Sequence, residues 1–220
     1  MGAKRPSASH ADDIGSLCRR LAAALQGGRP ILCALDDIAE RTPSRLRPAL
    51  RAIRERLRGG GRISEALADL GAPSFIWGTV RSGEASARLA QALTLLADRL
   101  EAEKAIRPAR NRTLHYYALA FGRLGMMLSA GVPILSALEA AGESLGHPGV
   151  GKVFIGLTRE MKRGWGEFAD AVGRLAPELP PMAVEMLRDG ERDGRLDVAL
   201  PIVADYLLDE ASQRPAPARK

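Results

Sequence analysis

The stretch Gly131-Val132-Pro133-Ile134-Leu135-Ser136-Ala137-Leu138-Glu139 constrains the fold most, because six of its nine residues recur at the same spacing earlier in the chain. The first copy is Gly28-Arg29-Pro30-Ile31-Leu32-Cys33-Ala34-Leu35-Asp36, 103 residues earlier. That interval is too long for the stacked units of a solenoid and fits one duplicated domain. Physically the motif is a corner between two helices. Gly28 and Gly131 can take the left-handed conformation that ends a helix. Pro30 and Pro133 suit the first position of the next helix, where a missing N–H costs nothing.

Composition agrees with helices. Hydrophobic residues make up 46% of the 220 residues, and aromatics only 4%. A chain rich in Ala, Leu and Arg, without alternating β-branched runs, is expected to be all-α. The net charge of +6 permits nucleic acid, anionic lipid or acidic protein as a partner and does not choose among them. Cys18 and Cys33 are isolated, which fits buried thiols in a reducing compartment. No signal-peptide core follows Met1, so export is not expected. The apolar stretch from Tyr116 to Leu138 is interrupted by Arg123 and by the Gly131 corner. It is therefore read as two buried helices rather than a membrane span.

In chain order, residues 1–12 are expected to be a disordered arm and 13–106 a first helical bundle. Six helices are expected there, at about 11–26, 30–41, 45–58, 63–70, 74–81 and 86–106. Residues 107–114 form a basic linker, 115–211 a second bundle and 212–220 a disordered tail. The apolar stripes recur. Tyr117, Phe121, Leu124 and Leu128 stand where Ile14, Cys18, Leu21 and Leu25 stood. Val150, Phe154, Leu157 and Met161 match Leu46, Leu50, Ile53 and Leu57, and Leu196, Leu200, Val203 and Leu207 match Leu89, Leu93, Leu96 and Leu100. Pro201 breaks the pattern and should kink the last helix or delay its start.

A second motif is also doubled. Gly83-Glu84-Ala85-Ser86-Ala87-Arg88-Leu89 returns as Gly190-Glu191-Arg192-Asp193-Gly194-Arg195-Leu196. Gly83 and Gly190 are expected to close a helix, and Ser86 or Asp193 to cap the next. Glu84 and Glu191 then precede a helix N-terminus, where negative charge is favoured, in a capping or loop-fixing role. Contact with a partner is their alternative role.

The two motifs, in order and twice over, resemble the cytoplasmic F domain of the type II secretion system and the type IV pilus inner-membrane platform family. The resemblance covers about residues 13–104 and 115–211. It implies two tandem six-helix antiparallel bundles and a non-enzymatic role with no cofactor. It also implies docking to a secretion or pilus assembly ATPase, to inner-membrane platform proteins, or to another copy of the chain. About a dozen polar residues separate the repeats where the family carries membrane-spanning segments. The expectation is thus a soluble tandem version, cytoplasmic or held at the inner membrane through partners. Ala87 replaces a usual Gly and Asp193 a usual Ser or Thr, and both changes are expected to be mild.

Two catalytic-looking strings lack their context. Gly142-Glu143-Ser144-Leu145-Gly146 spells a nucleophile elbow, but a helix is expected before it and no distant His follows. Gly146 to Lys152 spells most of a phosphate loop, but Val153 stands where Ser or Thr would hold magnesium. His10, His115 and His147 lack metal-ligand spacing, so no metal site and no small-molecule substrate are expected.

The remaining feature is an arginine stripe. Arg47, Arg51, Arg54 and Arg58 share one face of the third helix, and between Arg41 and Arg62 there are eight Arg against one acid, Glu55. The matching positions of the second repeat are Gly151, Ile155, Thr158 and Lys162, so the fold does not require the stripe. It is a solvated face or a docking surface for acidic protein or anionic headgroups. A basic helical nucleic-acid or anionic-membrane binder is the alternative reading, drawn from the same charge.

Overall fold

The computed structural model describes residues 8–42, 46–106, 109–143, 145–164 and 166–213. The arm expected at 1–12 and the tail at 212–220 lie mostly outside these residues. Among the described residues the chain is all-α, with twelve helices. The first six are α1 Ala8–Gln26, α2 Ile31–Glu40, α3 Arg47–Arg58, α4 Ile63–Asp69, α5 Ser74–Ala85 and α6 Leu89–Ala105. The second six are α7 Arg112–Ser129, α8 Ile134–Glu143, α9 Pro148–Lys162, α10 Phe168–Leu175, α11 Pro181–Arg192 and α12 Leu196–Gln213. They form two compact units that divide between Ala105 and Ile106.

Each unit is a closed ring of helices. Consecutive helices pack together, and the first packs on the last, α1 on α6 and α7 on α12. Closure follows from the stripes, since a helix with one apolar face must bury it against neighbours. Cys18, Leu21, Leu35, Ile38, Leu50, Ile53, Leu93, Leu96 and Leu100 are all buried in the first unit. Their counterparts Phe121, Leu124, Leu138, Phe154, Leu157, Leu200, Val203 and Leu207 are completely enclosed in the second. The second core is the more aromatic. Tyr117 stacks on Phe121 at 6.1 Å between ring centroids, and Phe121 meets Phe154 at 5.8 Å. Tyr117 keeps one polar tie, its hydroxyl donating to Glu178 Oε1 at 2.7 Å. Burial, with that bond second, raises the phenol pKa above its ordinary value.

Pro201 does not delay the last helix. α12 begins at Leu196 and runs through Pro201 to Gln213. Room for the ring comes from Gly125 on α7, where a Cβ would stand 2.6 Å from Pro201 Cδ. No helix is long and apolar enough to cross a membrane, among the described residues. α7 ends at Ser129, before the Gly131 corner, as the interrupted apolar stretch required.

Candidate functional site

The doubled motifs were the first candidates, and their geometry is architectural. At the corner, Gly28 has φ +75° and Gly131 φ +79°. Arg29 N–H reaches back to Ala24 O at 3.0 Å, and Val132 N–H to Met127 O at 2.9 Å, the paired bonds of a left-handed helix end. Pro30 sits one position earlier than expected. It is the cap residue of α2 with φ −56° and ψ 136°, and its carbonyl accepts from Ala34 N–H at 3.0 Å. Pro133 accepts likewise from Ala137 N–H at 2.9 Å.

The Gly-Glu motif works differently from its sequence reading. Gly83 and Gly190 do not end their helices but lie within α5 and α11. A Cβ on Gly83 would fall 2.5 Å from Ala92 Cβ, and one on Gly190 2.3 Å from Ala199 Cβ. The glycines therefore let α6 and α12 pack closely on their partners. Ser86 and Asp193 do not cap the following helices. They are the C-terminal cap residues of α5 and α11. Ser86 Oγ donates back to Ser82 O at 2.8 Å. The glutamates do cap helices, but not the ones that follow them. Glu84 Oε1 accepts from Ile63 N–H at 2.7 Å, and its Oε2 from Ser64 Oγ at 2.5 Å, at the start of α4. Glu191 accepts from Phe168 N–H at 2.6 Å and Ala169 N–H at 2.8 Å, at the start of α10. Each carboxylate thus closes a loop of about twenty residues and offsets the positive end of a short helix.

Position 87 is not mild either. Ala87 has φ +55°, the one positive value at a non-glycine among the described residues, and its counterpart Gly194 has φ +66°. Both occupy the left-handed turn after a helix, with Arg88 N–H bonded to Gly83 O at 2.8 Å and Arg195 N–H to Gly190 O at 2.7 Å. An L side chain there costs roughly 1–2 kcal/mol.

The string resembling a phosphate loop is a helix start. His147 Nδ1 accepts from Val150 N–H at 3.3 Å, and Pro148 opens α9. Ser144 of the elbow-like string lies outside the described residues, and α8 precedes it.

The arginine stripe separates into distinct environments. Arg54 is half-buried and engaged by a neighbouring helix: its Nη2 donates to Asp36 Oδ2 at 2.7 Å on α2. Its Nε lies 2.7 Å from Asp36 Oδ1 but off the line of a hydrogen bond. Arg58 stands 3.6 Å from Glu55, a loose pair within one helix. Arg47 Nε donates to the Thr42 carbonyl at 3.3 Å, which leaves its charge uncompensated. Arg51 is exposed and has no carboxylate partner among the described residues.

Sequence reasoning missed a fifth member. Arg20 on α1 donates from Nη1 to Thr42 Oγ1 at 3.3 Å. Thr42 is buried, and its hydroxyl donates in turn to Ile38 O at 2.6 Å. Arg20 and Arg47 therefore converge on one residue from two helices, with exposed Arg41 beside it. Beside this cluster an open groove of about 480 Å³ runs between α1 and α2. Ala23, Ala24, Ala34 and Ile38 line it together with Arg20, Arg29 and Arg41. Its one acid, Asp37, pairs with Arg29 at 2.6 Å. The i, i+4 spacing within α3 is visible in sequence, whereas Arg20 joins through the tertiary fold. On the matching face of the second bundle, Ile155 is exposed in place of Arg51.

Residues 17–122 and 120–216 each match the model of the family described as Type II secretion system (T2SS), protein F. The chain belongs to the type II secretion system protein F family. Each matched segment contains one corner and one Gly-Glu clamp. A curated relative is the type IV pilus assembly protein PilC of Myxococcus xanthus (strain DK1622), 35% identical over 89 residues. That match covers 40% of this chain and 20% of the relative, so the chain spans a small part of PilC's length.

Proposed function

We propose that this protein F relative is a docking module without chemistry of its own. It presents two helical bundles to components of a secretion or pilus assembly machine. The partners we propose are an assembly ATPase and inner-membrane platform proteins. The face that engages them is the arginine cluster of the first bundle, with Arg47 and Arg51 at its centre. One observation carries the choice of face: these guanidinium groups meet no carboxylate among the described residues, while Arg54 on the same helix is already consumed by Asp36. Guanidinium groups left with neutral partners are free to form bidentate contacts with acidic side chains.

The test is capture of the assembly ATPase from the same organism on the immobilised chain. Arg47→Glu/Arg51→Glu should reduce capture at least about tenfold while the helical circular dichroism stays unchanged. Unchanged capture would exclude this face. Salt-sensitive retention of the chain on DNA, without ATPase capture, would favour the nucleic-acid alternative instead.

A further inference from the structure

The arginine cluster has an electrostatic complement within the same chain. α3 carries five Arg and one Glu, a net +4. α12 carries Asp197, Asp205, Asp209 and Glu210 and no basic residue, a net −4. Asp197, Asp205 and Asp209 have no ion-pair partner among the described residues. Their outward face also bears two exposed apolar side chains, Val198 at 42% and Ile202 at 53% exposure. Val198, Ile202, Asp205 and Asp209 follow one another at i, i+4, i+7 and i+11, a single stripe with apolar residues first and carboxylates after. The corresponding face of α6 is different. Polar Gln91 stands in place of Val198, and Leu95, in place of Ile202, is partly covered rather than exposed. Asp98, in place of Asp205, is paired with Arg19 at 2.9 Å.

We infer that this stripe of α12 seats on the arginine cluster and the α1–α2 groove of a second copy of the chain. Ala23, which is exposed, and Ala24, which is partly so, offer an apolar edge of the groove for Val198 and Ile202. Arg20, Arg41, Arg47 and Arg51 offer guanidinium groups without carboxylate partners, among the described residues, for Asp205 and Asp209. Each copy carries both surfaces, so one contact joins two copies through unlike faces. The contact is modest, since exposed ion pairs are weak. This inference rests on the docking role of the arginine cluster and names a second copy as one of its occupants.

The experiment is sedimentation velocity of the purified chain alone, so its result is independent of ATPase capture. At about 50 mM salt the chain should dimerise with rising concentration, and at about 500 mM it should be monomeric. Arg41→Glu/Arg51→Glu should be monomeric in low salt, and so should Asp205→Arg/Asp209→Arg, each with unchanged helicity. An equimolar mixture of these two variants should dimerise again, because either contact between unlike variants is attractive, intact face on intact face or reversed face on reversed face. If a reversal variant unfolds, Arg41→Gln/Arg51→Gln should weaken association about tenfold or more without introducing repulsion. A wild-type chain that stays monomeric in low salt overturns the inference. So does a dimer that survives both reversals, or two monomeric variants that fail to recombine.

Discussion

Asp98 of the first bundle is held by Arg19, whereas the matching Asp205 of the second meets no such cation among the described residues, since α7 carries Gly122 where α1 carries Arg19. The opposite holds for α3 and α9, where Arg51 is matched by Ile155. Inside, the bundles differ chiefly in how apolar volume is supplied: Cys18 stands in the first core where Phe121 stands in the second. Their joints are the same. Both use a left-handed corner, a glycine at the crossing of the fifth and sixth helices, and a glutamate that caps the fourth. Duplication thus kept the joints and the apolar character of the core, and released the outer faces. The outer faces are where separate functions can reside.

The largest expected break in this comparison is in the cores. Phe121→Ala should destabilise the second bundle by about 3–5 kcal/mol, whereas Cys18→Ala should cost the first about 1 kcal/mol. The chain has two tryptophans, Trp77 in α5 and Trp165 in the second repeat. Denaturant unfolding in Trp165→Phe and Trp77→Phe backgrounds therefore reads each bundle separately. Equal losses would mean that the aromatic cluster adds nothing beyond the aliphatic core.

The shared joint gives the next effect. Glu84→Ala and Glu191→Ala should each cost about 1.5–3 kcal/mol, in the first and second bundle respectively. Glu84 should cost the more, because it also accepts from Ser64 Oγ. An undisturbed transition in either variant would show that the carboxylate is not a cap there.

A reciprocal swap sharpens the one defect in the joint. Ala87→Gly should stabilise the first bundle by about 1 kcal/mol, and Gly194→Ala should destabilise the second by about the same. Changes of the same sign in both would contradict the left-handed assignment.

The smallest effect is in alkali. Burial pushes the Cys18 thiol from 9.0 up to about 12. The folded state therefore holds its proton after the unfolded chain has lost one, so its stabilising contribution is full below pH 9 and fades as pH rises toward 12. Cys18→Ala should flatten that decline in the first bundle, and the Tyr117 phenol should give the second a decline of its own above pH 10. Thiol titration at pH 8 should label exposed Cys33 and leave Cys18 unreacted until unfolding. Rapid labelling of both would contradict the burial of Cys18.

Most of the fold was legible in the sequence because apolar residues at helical spacing must face a core. The corner was legible because Gly and Pro act locally. What the motif residues do was harder to see. Glu84 reaches back to a helix that starts 21 residues earlier, and nothing local marks that reach. Ser86 satisfies a local cap rule but lies three residues before α6 begins, in the turn that Ala87 completes. The arginine spacing was visible, but Asp36 neutralises Arg54 and Arg20 joins from α1, and both depend on helix packing. For Ala87 a signal was present, since it aligns with Gly194.

We propose that the doubled motif builds the bundles while the arginine face does the docking. ATPase capture and thermal unfolding, measured together on Arg47→Glu/Arg51→Glu and on Glu191→Ala, test it most directly. The arginine variant should lose capture and keep its melting temperature. The glutamate variant should melt lower and, below that temperature, capture normally. Capture retained by the arginine variant and lost by the folded glutamate variant would contradict the account.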